Sequence, residues 1–441
     1  MNAEHGWQGQ PPSFRPPFRL SLRVPNALKT YDVKDTAYLS SRRTVDMSSS
    51  NIRKNHPIRV AVVMAWYAPY RVPLLREVAR RKEIDLSVIY CARVEAGREW
   101  KLSEKLPFSA TFLQPKRITR FEYKHYFGQS SSIEYPKGLL TTLRRISPHV
   151  VIAYEYHLEC MISAIYALMN RCAYVTWSDV TEIHDAHMGV FRIVMRKLLL
   201  ARSKALIGSS SDTLDHICRN FGFPRPRAFL SILSSHLEDF MAPAYNDSTA
   251  TRDDCDTFRL LYVGSLIPRK GIDMLIKAFA SFFRAFPHSS LTIIGSGPEQ
   301  ENLARLVHLL GCDAAVEFRR HVPYRSMAQE MARHDVFVLP TRLDVFGLVV
   351  AEAMACGLPV ICSRNAGAAN DLIEGNGIII DPDKEEELVH AFTLLAKDPP
   401  LRRRMSESAL RVLKRHGLQS AVKGFVAAIH TAAGQTMLKE T

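Results

Sequence analysis

The sequence of 441 residues lacks an uninterrupted apolar run of the about 18 residues that a helix needs to cross a bilayer. Its opening stretch has no basic segment followed by an apolar segment, so we expect no secretory signal peptide. The eight cysteines are scattered, without Cys-x-x-Cys pairs or histidine partners at metal-ligand spacing. These absences predict a cytoplasmic protein with reduced thiols and no metal site.

The composition is that of a globular protein, with 47% hydrophobic and 23% charged residues. The length predicts two or three domains. The net charge of +14 is uneven, because residues 58–240 hold 26 Lys and Arg against 17 Asp and Glu, whereas residues 241–399 hold 15 against 21. This asymmetry favours an anionic partner for the first half, such as a membrane surface, a lipid phosphate or nucleic acid. A general solubility bias is the alternative.

The chain divides into segments of different composition. Residues 1–56, rich in Pro, Arg and Ser, predict a disordered basic leader. Strands and helices alternate through residues 57–240, stop in the polar linker 241–256, and alternate again through residues 257–415. Residues 416–441 predict a C-terminal helix that crosses back to the first domain. The fold class is therefore α/β, with two doubly wound parallel-sheet domains facing across a cleft.

Apolar, β-branched runs mark the buried strands of each half. In the first half these runs are Ile58–Trp66, Ile84–Ala92, His149–Tyr156, Ala173–Asp179, Lys204–Ser210 and Arg227–His236. In the second half they are Phe258–Leu266, Ser290–Gly297, Val316–Arg320, Asp335–Pro340, Pro359–Ser363 and Gly377–Asp381. Ligands of open α/β sheets bind at the carboxyl ends of strands, so the loops that follow the strands are the expected place for binding and catalytic residues.

Two glycine-containing loops follow strands of the second half. In the first, a strand ends at Gly264, Arg269 and Lys270 follow, and Gly271 opens a helix, a pattern that suits an anion such as phosphate. A solvated basic turn is the alternative. The second loop contains Gly297 and resembles a dinucleotide-binding turn only weakly. It lacks the third glycine of that fingerprint, which argues against an NAD enzyme.

A third segment, residues 343–360, is apolar except for two acids, Asp344 and Glu352. A helix that starts near Gly347 offers free backbone N–H groups, which suit a diphosphate. Ionised carboxylates accept hydrogen bonds only, so the pair suits sugar and ribose hydroxyls. Each acid could instead be an ordinary helix charge on a solvated face. Small apolar neighbours on both sides of Glu352 weaken that alternative for it.

Taken together, these segments resemble the C-terminal domain of GT-B-fold retaining glycosyltransferases of family 4. The resemblance rests on "VGSLIPRKGID", "IIGSGPE", "DVFVLPT" and "DVFGLVVAEAMACGLPVI", in that order and spacing. It is specific across about residues 262–381. It is looser in the first half, where "YRVPLLREVA" (Tyr70–Ala79) is similar to the first-helix region of some bacterial members.

The resemblance implies roles for individual residues. Arg269 and Lys270 would contact the donor diphosphate, Asp344 would face the hydroxyls of the transferred sugar, and Glu352 would hold the nucleotide ribose. Of these, Asp344, Lys270 and Arg269 are the predicted catalytic residues. The other predicted donor contacts are Gly264, Ser265 and Gly297, together with the backbone N–H groups of Phe346, Gly347, Leu348 and Val349. The resemblance implies no cofactor and no required metal, because cations and amides offset the charge of the leaving diphosphate.

Three positions depart from the family pattern. Asp344 stands where Glu is common, and Ser265 stands where Arg is usual, so Arg269 would carry more of the phosphate contact. Ser178 falls about where many members have a histidine. The nearest alternatives to that histidine are Asp179, His184 and His187. We assign no catalytic base, since retention in this family is ascribed to front-face attack in which the donor phosphate takes the acceptor proton.

The leading hypothesis is transfer of a sugar from a nucleotide-sugar to a glycan or lipid-linked acceptor in polysaccharide or glycolipid synthesis. A nucleotide-sugar 2-epimerase of the same fold is the alternative. A non-catalytic nucleic-acid-binding protein is a third reading, but basic-aromatic interleaving is missing and we expect no nucleic-acid partner. The basic helix Phe191–Lys204 could seat the protein on the inner face of the cell membrane, or could be a core-facing helix with a solvated edge. Residues 403–416 are predicted to belong to helices that cross back to the first domain.

Overall fold

The computed structural model describes residues 56–93, 105–121, 131–186, 188–234, 237, 240–241, 257–320 and 322–434. The predicted leader therefore lies outside the described residues except at its last position. The predicted linker lies outside them except at its first position, and His187 is outside them as well.

The first half forms a sheet whose described strands run in the order β3-β2-β1-β6-β7-β8-β9, with every neighbouring pair parallel. Its strands are β1 (Ile58–Trp66), β2 (Ile84–Ala92), β3 (Ser109–Phe112), β6 (Val150–Tyr154), β7 (Ala173–Ser178), β8 (Ala205–Gly208) and β9 (Ala228–Leu230). A separate antiparallel pair joins β4 (Lys116–Phe121) to β5 (Ser131–Tyr135). The helices of this half are α1 (Val72–Ala79), α2 (Leu139–Ile146), α3 (Leu158–Met169), α4 (Glu182–Asp185), α5 (Val190–Arg202) and α6 (Ser211–Phe221).

The second half forms a parallel sheet of order β12-β11-β10-β13-β14-β15. Its strands are β10 (Phe258–Val263), β11 (Ser289–Ile294), β12 (Val316–Arg319), β13 (Val336–Leu339), β14 (Val360–Ser363) and β15 (Gly377–Ile380). Its helices are α7 (Ile272–Ala285), α8 (Gln300–Leu309), α9 (Tyr324–Ala332), α10 (Leu348–Ala355), α11 (Ala368–Leu372), α12 (Glu385–Lys397) and α13 (Pro399–His416), followed by α14 (Leu418–Ala432). In both sheets, strand order reverses beside the first strand, which creates a topological switch point.

The two C-terminal helices pack on different domains. Met405 and Ala409 of α13 belong to the core of the second domain. The prediction that residues 403–416 cross back to the first domain is therefore wrong, because the apolar face of α13 packs against the core of the second domain. The helix that packs on the first domain is α14, where the Phe425 ring meets the Trp177 ring at a centroid distance of 5.0 Å.

The two domains contact each other directly. A carboxylate oxygen of Asp371 in α11 accepts a hydrogen bond from the backbone N–H of Ser211 at 2.9 Å, at the start of α6. The neighbouring Asn370 side chain donates to Asp212 at 2.8 Å. Tyr70, which follows β1, packs against the apolar cluster that contains the core of the second domain together with Ile232, Leu233, Leu237 and Phe240 of the first half. The carboxyl edge of the first sheet thus faces the second domain. In the part of the chain that the structure describes, every helix is too short or too polar to span a lipid bilayer.

Candidate active site

The loop after β10 holds the two cations predicted to bind phosphate. A short 3₁₀ turn, Pro268–Lys270, leads into Gly271, which has φ +68° and precedes α7. A Cβ atom on Gly271 would lie 2.2 Å from the carbonyl oxygen of Pro340. Only glycine therefore fits here, and the close approach holds this loop against the segment that follows β13.

The structure brings Lys270 and Asp344 together. Nζ of Lys270 donates a hydrogen bond to Oδ2 of Asp344, and each side chain is 13% exposed. Arg269 lies beside them, and its guanidinium donates to the carbonyl oxygen of Leu343 at 2.9 Å. The three predicted catalytic residues therefore form one cluster built from two loops. Burial opposes ionisation of Asp344, but Lys270 and Arg269 outweigh it and hold the pKa of this carboxyl below its ordinary value.

The backbone around Gly347 provides unused donors. Gly347 has φ +88° and precedes α10. The backbone N–H groups of Gly347, Leu348 and Val349 have no acceptor among the described residues, as is usual in the first turn of a helix. The Phe346 side chain, in contrast, is buried in the core, so Phe346 can face a ligand only through its backbone. The predicted phosphate-binding amides thus lie directly after Asp344 along the chain.

Glu352 lies in α10 among apolar neighbours. Burial raises the pKa of its carboxyl to about 7. The side chain is partly buried, and within the described residues it has no hydrogen bond or ion pair. A carboxylate that is desolvated without a partner lowers the stability of the fold, which suggests that a ligand supplies the missing donors.

The remaining predicted donor contacts lie in two loops that pack on each other. A Cβ atom on Gly297 would lie 2.2 Å from the carbonyl oxygen of Leu266, and one on Gly264 would lie 2.6 Å from the Tyr262 hydroxyl. The same hydroxyl donates to the carbonyl oxygen of Ser265 at 3.2 Å. The backbone contact alone therefore requires glycine at 297, whereas at 264 a side chain would displace the Tyr262 hydroxyl. Their predicted contact with a donor stays a prediction.

Across the cleft, α4 of the first domain places His184 near the second domain's cluster. Nδ1 of His184 lies 2.8 Å from Oγ1 of Thr181. Burial lowers the pKa of His184 to about 4, with Asp344 opposing that shift and Arg269 adding to it. Because both charges act on His184, this side chain lies within electrostatic range of the catalytic cluster. Ser178 is buried and hydrogen-bonded through Oγ to the N–H of Val180 at 3.2 Å.

A buried charged cluster at the carboxyl edge of the first sheet was not foreseen from the sequence. Arg71 is 1% exposed and forms an ion pair with Asp179. The Asp179 carboxylate also accepts hydrogen bonds from Tyr154, at 2.6 Å, and from Ser209. The Arg71 guanidinium lies 4.4 Å from the centroid of the Trp177 ring. The only sequence feature that could have indicated this cluster is the arginine in "YRVPLL", which lies directly before an apolar helix.

Part of the chain matches a known protein family. Residues 248–412 match the family model described as glycosyl transferases group 1. The GDP-mannose-dependent alpha-(1-6)-phosphatidylinositol monomannoside mannosyltransferase of Mycolicibacterium smegmatis is 38% identical over 142 residues, 30% of this chain and 37% of that protein. The GDP-mannose-dependent monoacylated alpha-(1-6)-phosphatidylinositol monomannoside mannosyltransferase of Corynebacterium glutamicum is 31% identical over 215 residues, 44% of this chain and 55% of that protein. The chain thus matches less than two thirds of either relative.

The fold has close counterparts among solved structures. Sucrose-phosphate synthase from Thermosynechococcus elongatus superposes with a TM-score of 0.63 over 85% of this chain and 98% of that chain, at 18% identity. The two parallel-sheet domains of the present structure, together with this likeness, confirm the GT-B fold predicted from the sequence.

Proposed function

We propose that the protein is a retaining glycosyltransferase, because residues 248–412 match the family model described as glycosyl transferases group 1 and the fold is GT-B. It would move a sugar from a nucleotide-sugar to a glycan or lipid-linked acceptor, in polysaccharide or glycolipid synthesis. The observation that carries the proposal is the cluster of Arg269, Lys270 and Asp344 beside the open helix start at Gly347. Cations, free amides and an ionised carboxylate at one cleft suit a donor that joins a diphosphate to a sugar.

Each group then has a distinct role toward the donor. Arg269 and Lys270 bind the diphosphate together with the amides that follow Phe346, and Asp344 accepts hydrogen bonds from the transferred sugar. Lys270 already holds Asp344 in place, so the sugar site and the diphosphate site are positioned by one ion pair. Glu352 accepts hydrogen bonds from the ribose hydroxyls, which supply the partners that its carboxyl lacks among the described residues.

The transfer step needs no protein base. The acceptor oxygen forms a bond to the sugar's anomeric carbon on the face that the diphosphate leaves, while the bond from that carbon to the phosphate oxygen breaks. The acceptor proton moves to the departing phosphate oxygen. Negative charge grows on the diphosphate during this step, and Arg269, Lys270 and the amides of α10 stabilise it. A metal ion is not required for that stabilisation.

We also propose peripheral contact with an anionic membrane through an α3–α5 surface, defined by the exposed apolar residues of these two helices. Its members are Ile165, Leu168, Met169, Val190, Phe191, Val194 and Leu198. Val190 is 77% exposed and Phe191 is 75% exposed. The exposed Lys197 and Arg202 lie on α5, which contains no Asp or Glu. Exposed apolar and cationic side chains on one helix suit the boundary between lipid headgroups and acyl chains. The proposed location is the cytoplasmic face of the membrane, where a lipid-linked acceptor would be available.

Donor binding and product analysis test the proposal. In a thermal-shift panel of UDP-, GDP- and ADP-sugars, one base should stabilise the protein, by about 2.7 kcal/mol when the ligand is present at about 100 times its Kd. Mass analysis with that donor should show the sugar joined to an added glycan or glycolipid. Conversion of the donor to an isomer without an acceptor would identify a 2-epimerase instead. Absence of stabilisation by all the nucleotide-sugars would contradict the proposal.

A further inference from the structure

The turn that carries Arg269 and Lys270 has no side-chain cap of its own. It follows Pro268 and leads into α7, whose N-cap residue is Gly271. A capping side chain fixes a helix start by accepting a hydrogen bond from the first turn of the helix. This turn lacks that contact, so the position of its two cations depends on contacts from outside it.

Arg342 supplies contacts to both ends of the turn. Nη1 of Arg342 donates a hydrogen bond to the carbonyl oxygen of Pro268, before the two cations, at 2.8 Å. After the cations, the Asp273 carboxylate accepts from Nη1 at 2.8 Å and from Nη2 at 2.7 Å. A bidentate pair of this kind fixes orientation as well as distance. One side chain thus spans the segment that carries Arg269 and Lys270.

The backbone beside this guanidinium contacts the same turn. The N–H of Arg342 donates to the carbonyl oxygen of Arg269 at 2.8 Å, and Oγ1 of the buried Thr341 lies 3.0 Å from that oxygen. Residues 341 and 342 directly precede the loop that carries Asp344. The same segment therefore positions the cations and the carboxylate that pairs with Lys270.

The charge of Arg342 is matched by carboxylates. Burial opposes ionisation of Asp273, but the hydrogen bonds and the charge of Arg342 outweigh it and hold the pKa of this carboxyl below its ordinary value. Nε of Arg342 also lies 3.6 Å from a carboxylate oxygen of Asp383. Two carboxylates beside one guanidinium reduce its attraction for a phosphate, which argues for a positioning role rather than direct contact with the donor.

We propose that Arg342 and Asp273 are positioning residues, which hold the turn so that Arg269 and Lys270 meet the donor diphosphate. The inference rests on the proposed function, because that diphosphate is the ligand toward which the cations are positioned. A catalytic group that is misplaced by about 1 Å can lose about 10²-fold in rate. The Arg342–Asp273 pair is partly exposed, so its removal should change stability little.

Comparison of nucleoside diphosphates with nucleosides tests this role. The probes are UDP, GDP and ADP, each compared with uridine, guanosine or adenosine by ligand-observed NMR titration of the full chain. A nucleoside lacks the phosphates but keeps the ribose that Glu352 is proposed to bind. Arg342→Met and Asp273→Ala should each weaken binding of the preferred diphosphate about tenfold, whereas binding of the matching nucleoside should stay within about twofold of the wild type. A general loss of folded protein would reduce binding of both probes equally.

A double variant separates positioning from direct contact. If Arg342 acts with Asp273 on the turn, combining Arg342→Met with Asp273→Ala should weaken diphosphate binding no more than about twofold beyond Arg342→Met alone. Direct contact of Arg342 with a phosphate predicts instead that Asp273→Ala, which frees the guanidinium, keeps or raises diphosphate affinity. That result would overturn the inference. Arg342→Lys keeps the charge without the bidentate contact, so its diphosphate affinity should resemble that of Arg342→Met.

A matched control removes an ion pair elsewhere in the second domain. Arg415, in α13, pairs with Glu374, so Arg415→Met should bind both kinds of probe like the wild type. Equal weakening of diphosphate and nucleoside binding in Arg342→Met would overturn the inference, and so would wild-type affinity for both. Failure of all three diphosphates to bind the wild type would contradict the proposed function and, with it, this inference.

Discussion

Lys270 and Asp344 are 74 residues apart in the chain and form an ion pair within the cleft. The pair joins the loop after β10 to the loop after β13, two strands that are neighbours in the sheet. Each partner would otherwise be a desolvated charge, so each depends on the other. The same pair places a cation for the donor diphosphate beside an acceptor for sugar hydroxyls.

Lys270→Met should therefore lower both stability and activity. It removes the hydrogen-bonded partner of Asp344 and leaves Arg269 to offset the buried charge, and breaking a buried pair costs about 3 kcal/mol. Urea unfolding at neutral pH measures this loss. Adding Asp344→Leu removes the remaining charge and should restore much of the stability without restoring turnover. If the double variant were no more stable than Lys270→Met, the pair would not be the cause.

The pH dependence of this pair has a definite sign. The pKa of Asp344 is held below its ordinary value of 3.8, so the pair stabilises the fold above that pH and the contribution is lost as the pH falls through the folded-state pKa. Around and below pH 3.8, the free energy of unfolding of Lys270→Met should therefore depend less on pH than that of the wild type.

Glu352→Gln should separate stability from function. The unfolded carboxyl ionises near 4.5 and the folded one near 7, so ionisation of Glu352 destabilises the fold increasingly as the pH rises between these values. At pH 8 the substitution should raise the free energy of unfolding by up to about 3 kcal/mol. It should also weaken donor binding, because an ionised acceptor of ribose hydroxyls is lost. Glu301→Gln, on the exposed side of α8, serves as control and should change neither quantity.

The regular elements were predictable where burial alone determines them. The bounds predicted for β1 and β2 match the structure, since both strands are β-branched runs buried inside a parallel sheet. β3 and α6 were missed. Ser109–Phe112 is short and half-exposed, and Ser211–Phe221 mixes polar residues with a single cysteine and few large apolar ones. A hydrophobic pattern cannot mark elements of this kind.

The site was predictable in its residue types but not in its pairing. Glycine next to a basic pair indicates an anion site from local sequence, and the structure indeed clusters Arg269, Lys270 and Asp344. The Arg71–Asp179 pair joins residues 108 apart. Such a pairing arises from the order of strands in the sheet, which cannot be predicted from the local spacing of residues.

Gly271→Ala should disturb the loop after β10 more than the same change at a matched glycine elsewhere. Gly271 and Gly311 have nearly the same φ, +68° and +66°, but only Gly271 has a backbone oxygen in the way of a Cβ atom. Gly271→Ala should therefore lose about 2 kcal/mol more stability than Gly311→Ala, as measured by chemical denaturation. Donor affinity should fall only in Gly271→Ala. Equal losses in the two variants would show that backbone strain, not the contact with Pro340, governs this loop.

Turnover should survive removal of divalent metal. The proposed mechanism offsets the leaving-group charge with Arg269, Lys270 and helix amides, so EDTA should leave the rate unchanged. Arg269→Ala should lower kcat by about 10²–10³, the usual effect of removing one group that stabilises a developing anion. The measurement is initial rate with and without chelator on the same preparation. A rate that disappears with EDTA and returns with Mg²⁺ would contradict this part of the mechanism.

The α3–α5 surface should bind vesicles through charge and apolar contact together. Lys197→Glu combined with Arg202→Glu should weaken sedimentation with phosphatidylcholine–phosphatidylglycerol vesicles at least tenfold, since each surface cation contributes about 1 kcal/mol on anionic lipid. Phe191→Ser should weaken it as well, because a largely exposed ring can gain about 2 kcal/mol when lipid covers it. Leu309 is 81% exposed in the second domain, so Leu309→Ser is the matched control and should bind like the wild type.

Equal binding to vesicles of phosphatidylcholine alone would exclude an electrostatic contribution. A concentration-dependent dimer that Phe191→Ser disrupts would instead assign the surface to self-association.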